Sequence, residues 1–278
     1  MSNRTAFEPA GPVRSLGYRA LWTCADAFQK LANGCLYVSA GLLRRNELRI
    51  ASQLRWGAFG TSVDDREGGL APWERELYSH VVHPADRVLL VGCGTGRDLM
   101  PLLESGCQVT GLEQASELAE MAKAAVARRG LTATILTGVV ETQALSESYD
   151  VVIFSNGCYS TLQQSASRIA ALLRLKNHLT DRGRIAITHL GLEHQSRLSV
   201  WVTRMSAAIA RADWRPEAGD IFSRDHLVSR NLRYEHLFRP GEVARECADA
   251  GLHVVRDQSE TPSLHSVVAV PSSHRNRQ

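Results

Sequence analysis

The residues best suited to chemistry lie in one short run, Gly92-Cys93-Gly94-Thr95-Gly96, which follows the apolar stretch Arg87–Val91 and leads into Arg97, Asp98 and Leu99. Glycines between a strand and a helix let the backbone adopt dihedrals closed to other residues and come close to a ligand, while the helix start offers N–H groups without helical partners. The run therefore predicts a ligand-binding loop. Further on, Val109-Thr110-Gly111-Leu112-Glu113 ends a second apolar stretch on a carboxylate, about where a ribose would lie beyond such a loop. Dinucleotide-binding folds share these parts, but their fingerprint is G-x-G-x-x-G. Here the third glycine comes one residue early, at Gly96, and Arg97 stands at the dinucleotide position.

With Gly92, Gly94 and Gly96 at this spacing, residues 88–96 resemble motif I of the class I S-adenosylmethionine-dependent methyltransferases, and the resemblance runs over about residues 72–270. It implies S-adenosylmethionine as cofactor, S-adenosylhomocysteine as product, and an in-line displacement of the methyl group by the acceptor. Carried over residue by residue, it assigns Gly92, Cys93, Gly94, Thr95, Gly96 and Asp98 to the cofactor loop, and Glu113, with Gln114 beside it, to the ribose. Val139, Val140 and Glu141 fall beside the adenine, and Ser155 and Asn156 lie near the transferring methyl. Two positions depart from the family. Leu90 replaces the usual acid two residues before the first glycine, so the amino-acid end of the cofactor would lean on Asp98 or on the loop backbone. Val139 replaces the usual Asp after Gly138, so the adenine would be read by Glu141 or by backbone and packing.

A general base is needed only if the acceptor arrives protonated. The candidates by location are His189, at the end of the fifth strand, and His194, with Tyr159 as an orienting hydroxyl. Tyr234, His236 and Arg239, together with Trp201 and Trp214, are placed to reach the pocket from an insertion. No metal site is expected, because the six cysteines contain no C-x-x-C pair and no His partner at zinc spacing.

The elements that must hold these residues follow from periodicity. Apolar residues recur at three- and four-residue steps through Leu21, Cys24, Phe28, Leu31 and Leu36 and again through Leu43, Ile50 and Leu54, predicting an N-terminal helical appendage over residues 1–70. Gly57, Gly60, Gly68 and Gly69 break that pattern and read as a loop. Strands are then expected at 87–91, 108–112, 134–137, 150–154 and 184–189, with helices around 73–81, from 97, at 116–129 and at 167–179. A helix at 241–250 and a hairpin of strands at 252–257 and 264–270 close the series. The fold class predicted is α/β: a Rossmann-like three-layer sandwich with a seven-stranded, mostly parallel sheet whose last strand is antiparallel. The expected domains are a helical cap over 1–70, the methyltransferase domain over 71–271 with a substrate-lid insertion at 191–239, and a disordered tail over 272–278.

Composition narrows the function. A chain of 278 residues suits one large α/β domain with an appendage, and a net charge of +3 spread along the chain does not favour nucleic acid as partner. No Asn-Pro-Pro-Tyr-like motif of the base-modifying families occurs. Reduced cysteines, no secretion signal and an apolar stretch at 31–43 too short to span a bilayer predict a cytoplasmic protein. The aromatic and apolar content of the lid regions favours a small organic or lipid-like acceptor. Contact of the basic, apolar N-terminal helices with a membrane surface is a less favoured alternative, and the oligomeric state is left open. The functional rivals are a scaffold that binds the cofactor without turnover and an NAD-dependent oxidoreductase, the latter disfavoured by Arg97.

Overall fold

Val88 and Leu90 of strand β1 (Arg87–Val91) pack into one core and Leu89 and Val91 into another, so the strand is apolar throughout because both of its faces are covered. A computed structural model describes residues 16–62, 69–192 and 197–272. The helices that precede β1 are α1 (Leu16–Leu42), α2 (Arg45–Ser62) and α3 (Pro72–Val81). The alternation then runs α4 (Leu99–Glu104), β2 (Gln108–Glu113), α5 (Ser116–Arg128), β3 (Thr134–Thr137), β4 (Tyr149–Phe154), α6 (Ser165–Lys176) and β5 (Leu179–Leu190). Helix α7 (Arg197–Ala210), strands β6 (Asp220–Arg224) and β7 (Leu232–His236), helix α8 (Glu242–Asp249), and strands β8 (Leu252–Thr261) and β9 (Leu264–Pro271) complete the described chain.

Seven strands form one sheet in the order β3-β2-β1-β4-β5-β9-β8. The first five are mutually parallel, and β9 is antiparallel to both of its neighbours. Helices α3, α4 and α5 cover one face, with Leu77, Leu99, Ala119 and Ala122 against Val88, Leu90, Val151 and Ile153. Helices α6 and α8 cover the other, with Leu172, Leu175, Val243 and Cys247 against Leu89, Val152, Phe154 and Ile185. This is the expected sandwich. Strand order reverses between β1 and β4, and the carboxyl ends of those two strands flank the crevice where ligands bind in open α/β sheets.

Several boundaries differ from expectation. Helix α2 does not stop at Gly57 but continues through Gly57 and Gly60. At Gly60 a Cβ would lie 2.2 Å from Leu118 Cδ2, so the glycine lets α2 settle on α5. Residues 180–183, left between the expected helix and the expected strand, are an irregularity inside β5, whose pairing with β4 jumps from Tyr149–Leu179 to Val151–Arg184. The segment 191–239 holds a helix and a two-stranded sheet of its own. Trp214, Phe222, Leu232 and Tyr234 from that segment join Ala40 and Leu48 of the N-terminal helices in a small third core. The N-terminal residues 1–15 and the tail 273–278 lie outside the described residues, as does the expected loop at Gly68. No helix among the described residues is long and apolar enough to cross a membrane.

Candidate active site

The turn after β1 shows why glycine recurs there. Gly92, Gly94 and Gly96 all have positive φ, at +78°, +54° and +99°, where side chains are strained. A Cβ on Gly92 would lie 2.7 Å from Cys158 Sγ, and one on Gly96 would press on Met100 and Ala122, so these two glycines serve packing. A Cβ on Gly94 would meet nothing within 4 Å, and Gly94 lines a large cleft, so its bare backbone faces the opening. The N–H groups of Gly92 and Cys93 both donate to Leu112 O, and Gly138 N–H donates to Glu113 O, which ties β1, β2 and β3 together at their carboxyl ends.

Glu113 closes this arrangement. It is 5 % exposed; Oε2 accepts the Gly94 N–H at 2.9 Å and Oε1 the Ala115 N–H at 2.9 Å. Burial raises its pKa, opposed by hydrogen bonds from the backbone of Ala115, Gly94 and Gln114. Those three donors leave the carboxylate about one of its roughly four acceptor sites for a further donor. On the opposite side of the turn, the Ser155 hydroxyl donates to Gly92 O at 2.6 Å.

The cleft has a volume of about 860 Å³, within the usual range for a small-molecule or cofactor site. Its sheet-end wall contains Gly92, Cys93, Gly94, Thr95, Asp98, Glu113, Gln114, Val139, Val140, Glu141, Ser155 and Asn156. Of the residues expected at the cofactor, Gly96 alone is absent from the wall, since it packs against α5. Cys158 also faces the cleft, and burial pushes its thiol up to about 12, so it stays protonated. Asp98 is buried and doubly engaged: Tyr78 Oη donates to Oδ2 at 2.8 Å and Arg97 Nε to Oδ1 at 2.7 Å. Arg97 also pairs with Glu74, whose pKa is raised by burial and by the Asp98 charge. Arg97 thus stands at the cleft wall between two carboxylates, a feature that its position in the loop alone did not reveal.

The far wall comes from the appendage and the inserted segment. Arg45, Asn46, Arg49, Trp56 and Phe59 of α2 face Arg233 and Glu235 of β7, with Gln163, Leu190 and Asp213 between them. Tyr234 and His236, expected to reach the pocket, have the opposite parity on the same strand. Both are buried on Asp220, the Tyr234 hydroxyl at 3.0 Å and His236 Nδ1 at 2.8 Å. Glu217, Asp220 and His236 come close enough to hold an ion, yet their atoms already bind one another, Arg168, Ser165 and Tyr234. Trp214 is buried, its Nε1 donating to Leu43 O, and neither it nor exposed Trp201 lines the cleft.

The catalytic candidates lie elsewhere. Tyr159 is fully buried, its hydroxyl donating to Glu246 Oε2 at 2.8 Å, and does not line the cleft. His189 lines a separate cavity of about 330 Å³ with His265, Phe238, Arg239 and Asp257, while the next residue, Leu190, lines the cleft. The ring stacks on His265 at 5.4 Å, and burial, with the His265 charge, lowers its pKa to about 4. His194 lies outside the described residues. Among the described residues no histidine lines the cleft.

Comparison with known proteins agrees with this geometry. Residues 88–183 match the family model described as a methyltransferase domain. Among solved structures, an S-adenosylmethionine-dependent methyltransferase from Methanosarcina mazei superposes with a TM-score of 0.57 at 19% identity, covering 73% of this chain and 98% of its own. The CcbJ methyltransferase from Streptomyces caelestis gives 0.53 at 17% identity, over 71% of this chain and 88% of that one. The glycopeptide N-methyltransferase MtfA complexed with S-adenosylhomocysteine gives 0.52 at 19% identity, over 71% and 87%. No curated protein matches the sequence. Residues 88–183 therefore match a methyltransferase domain, and the chain has the Rossmann-like fold of the S-adenosylmethionine-dependent methyltransferases that it superposes on.

Proposed function

We propose that this chain is an S-adenosylmethionine-dependent methyltransferase acting on a small organic acceptor that carries an anionic group. The observation that carries the reading is the buried Glu113 carboxylate beside the open backbone of Gly94 at the cleft wall. Those residues fit the cofactor: Glu113 keeps acceptor capacity for the ribose, and Gly94 leaves the space that a side chain would fill. Val139, Val140 and Glu141 would border the adenine. Asp98 and Arg97 would hold the charged amino-acid end, with Ser155 and Asn156 beside the methyl. When bound, the cofactor supplies an electrophilic methyl group on its sulfonium.

The chain's own part is positioning and exclusion of water, which supply most of the help that such a displacement needs. Helix α2 and strand β7 act as a lid built from the 1–70 and 191–239 segments. Trp56, Phe59 and Leu190 offer the acceptor apolar contact, while Arg45, Arg49 and Arg233, the last already paired with Glu235, offer it cationic partners. Arg45 and Arg49 donate to the Ser167 hydroxyl and the Asn46 side-chain Oδ1, and no carboxylate neutralises their side chains among the described residues. A carboxylate or phosphate on the acceptor would supply that charge. The unpaired cysteines fit a reducing, cytoplasmic setting.

Calorimetric titration with S-adenosylmethionine and S-adenosylhomocysteine, with NAD as control, tests the reading. Micromolar binding of the first two, abolished in Gly94→Arg, is expected. Binding of neither, or of NAD instead, would overturn it.

A further inference from the structure

Helix α1 carries Leu21, Cys24, Phe28, Leu31, Cys35, Val38 and Leu42 at strictly alternating steps of three and four residues. That period of 3.5 is the signature of a coiled-coil seam, whose alternating a and d positions stay in register with a partner helix. In the single chain the seam has nothing to face. Leu21 is 73% exposed, Phe28 71% and Leu31 64%, and both cysteines are exposed. Residues 16–33 are exposed on every side of the helix. Helix α7 packs beside α1, with a close approach at Gly41, where a Cβ would overlap Ser206, and leaves Val38 and Leu42 open. A lone helix with an uncovered apolar stripe is marginal in water, so a partner is required.

We propose that the partner is a second copy of this chain, and that two α1 helices pair antiparallel about a two-fold axis between Gln29 and Lys30. In that register Leu21 meets Val38 of the partner subunit, Cys24 meets Cys35 of the partner subunit, and Phe28 meets Leu31 of the partner subunit. Every a position then faces a d position. Ala20, Ala25, Ala27 and Ala32 flank the seam and let the two helices approach closely. The antiparallel sense follows from shape. A parallel pair would set the bulky Phe28 against its own copy and crowd both domains at one end. Antiparallel pairing places the domains at opposite ends of a helix about 40 Å long, at ~1.5 Å per residue. A lipid surface is disfavoured because α1 carries a net charge of only +1, from Arg19, its other cation Lys30 being paired with Asp26 at 2.8 Å.

Light scattering on the full chain at tens of micromolar should give about twice its 30.6 kDa. A bismaleimide, adding one thiol across each ring, should yield a linked dimer band in which Cys24 is joined to Cys35 of the partner subunit. The exposed double variant Phe28→Glu/Leu31→Glu should be monomeric while its S-adenosylhomocysteine affinity and the hydrogen-exchange protection of β1, β4 and β5 are retained. A monomeric wild type, a dimer that persists in the variant, or a dimer band linked only Cys24 to Cys24 would overturn the proposal. So would a monomer that sediments with vesicles of phosphatidylcholine and phosphatidylglycerol.

Discussion

Glu113 is the residue on which the site depends most. Its carboxylate already holds the glycine loop through Gly94, and under the proposed function it would also accept the ribose hydroxyls. A hydrogen bond to a charged group contributes about 1.5–3 kcal/mol, so Glu113→Ala should weaken S-adenosylhomocysteine binding roughly tenfold or more. Unchanged affinity by calorimetry would sink the ribose assignment. The pH dependence follows from the same carboxyl. Burial raises its pKa above 4.5, and protonation removes acceptor capacity, so affinity should fall on acidification at a higher pH than an ordinary carboxylate would give. Glu113→Gln should abolish that dependence. His189 illustrates the reverse case. With a folded pKa of about 4 against 6.5 unfolded, it favours folding in its neutral form. Its contribution is complete above pH 6.5 and is lost as pH falls toward 4, by up to about 3 kcal/mol. His189→Phe should flatten that loss in urea titrations and leave turnover unchanged; a large fall in turnover would return His189 to the active site.

At the scale of elements, the strands were legible because their apolar runs and flanking glycines are local signals. What was not legible was parity and distant partnership. His189 and Leu190 are neighbours at the end of β5, and which one faces the cleft depends on the register with β4 and β9, which no short window contains. Strand β7 repeats the lesson: Arg233 and Glu235 face the cleft, whereas Tyr234 and His236 are buried. The glycines of α2 misled because a mid-helix glycine costs only about 1 kcal/mol relative to Ala, and close packing on Leu118 offsets it. Parity makes a paired prediction. Arg233→Ala should raise KM for an anionic acceptor with stability nearly unchanged. Tyr234→Phe, which strips the hydroxyl from Asp220, should lower the melting temperature and leave KM alone. Equal effects on KM from both variants would show that the wall is misassigned.

At the scale of the whole molecule, the question is what fastens the inserted segment to the sheet. Arg168 of α6 is fully buried, donates through Nε and Nη2 to Glu246 of α8, and reaches Glu217 of the insertion at 3.1 Å. Its guanidinium also lies over the Phe238 ring at 5.0 Å, and Tyr159 shares the Glu246 carboxylate. Tyr159, a sequence candidate for catalysis, thus belongs to a buried network that joins α6, α8 and the inserted segment. Sequence reading could not reach it, because its members are spread from Tyr159 to Glu246 and only the fold brings them together. Removing one member of such a buried pair strands the other and costs about 3–5 kcal/mol, whereas replacing both with apolar residues of similar volume is often neutral. Arg168→Met should therefore lower the urea midpoint sharply, and Arg168→Met/Glu246→Leu should recover much of the loss. Because Glu217 is released as well, hydrogen exchange in Arg168→Met should quicken more at β6 and β7 than at β1. Uniform quickening across the sheet would mean that Arg168 supports the whole core and not the attachment of the inserted segment.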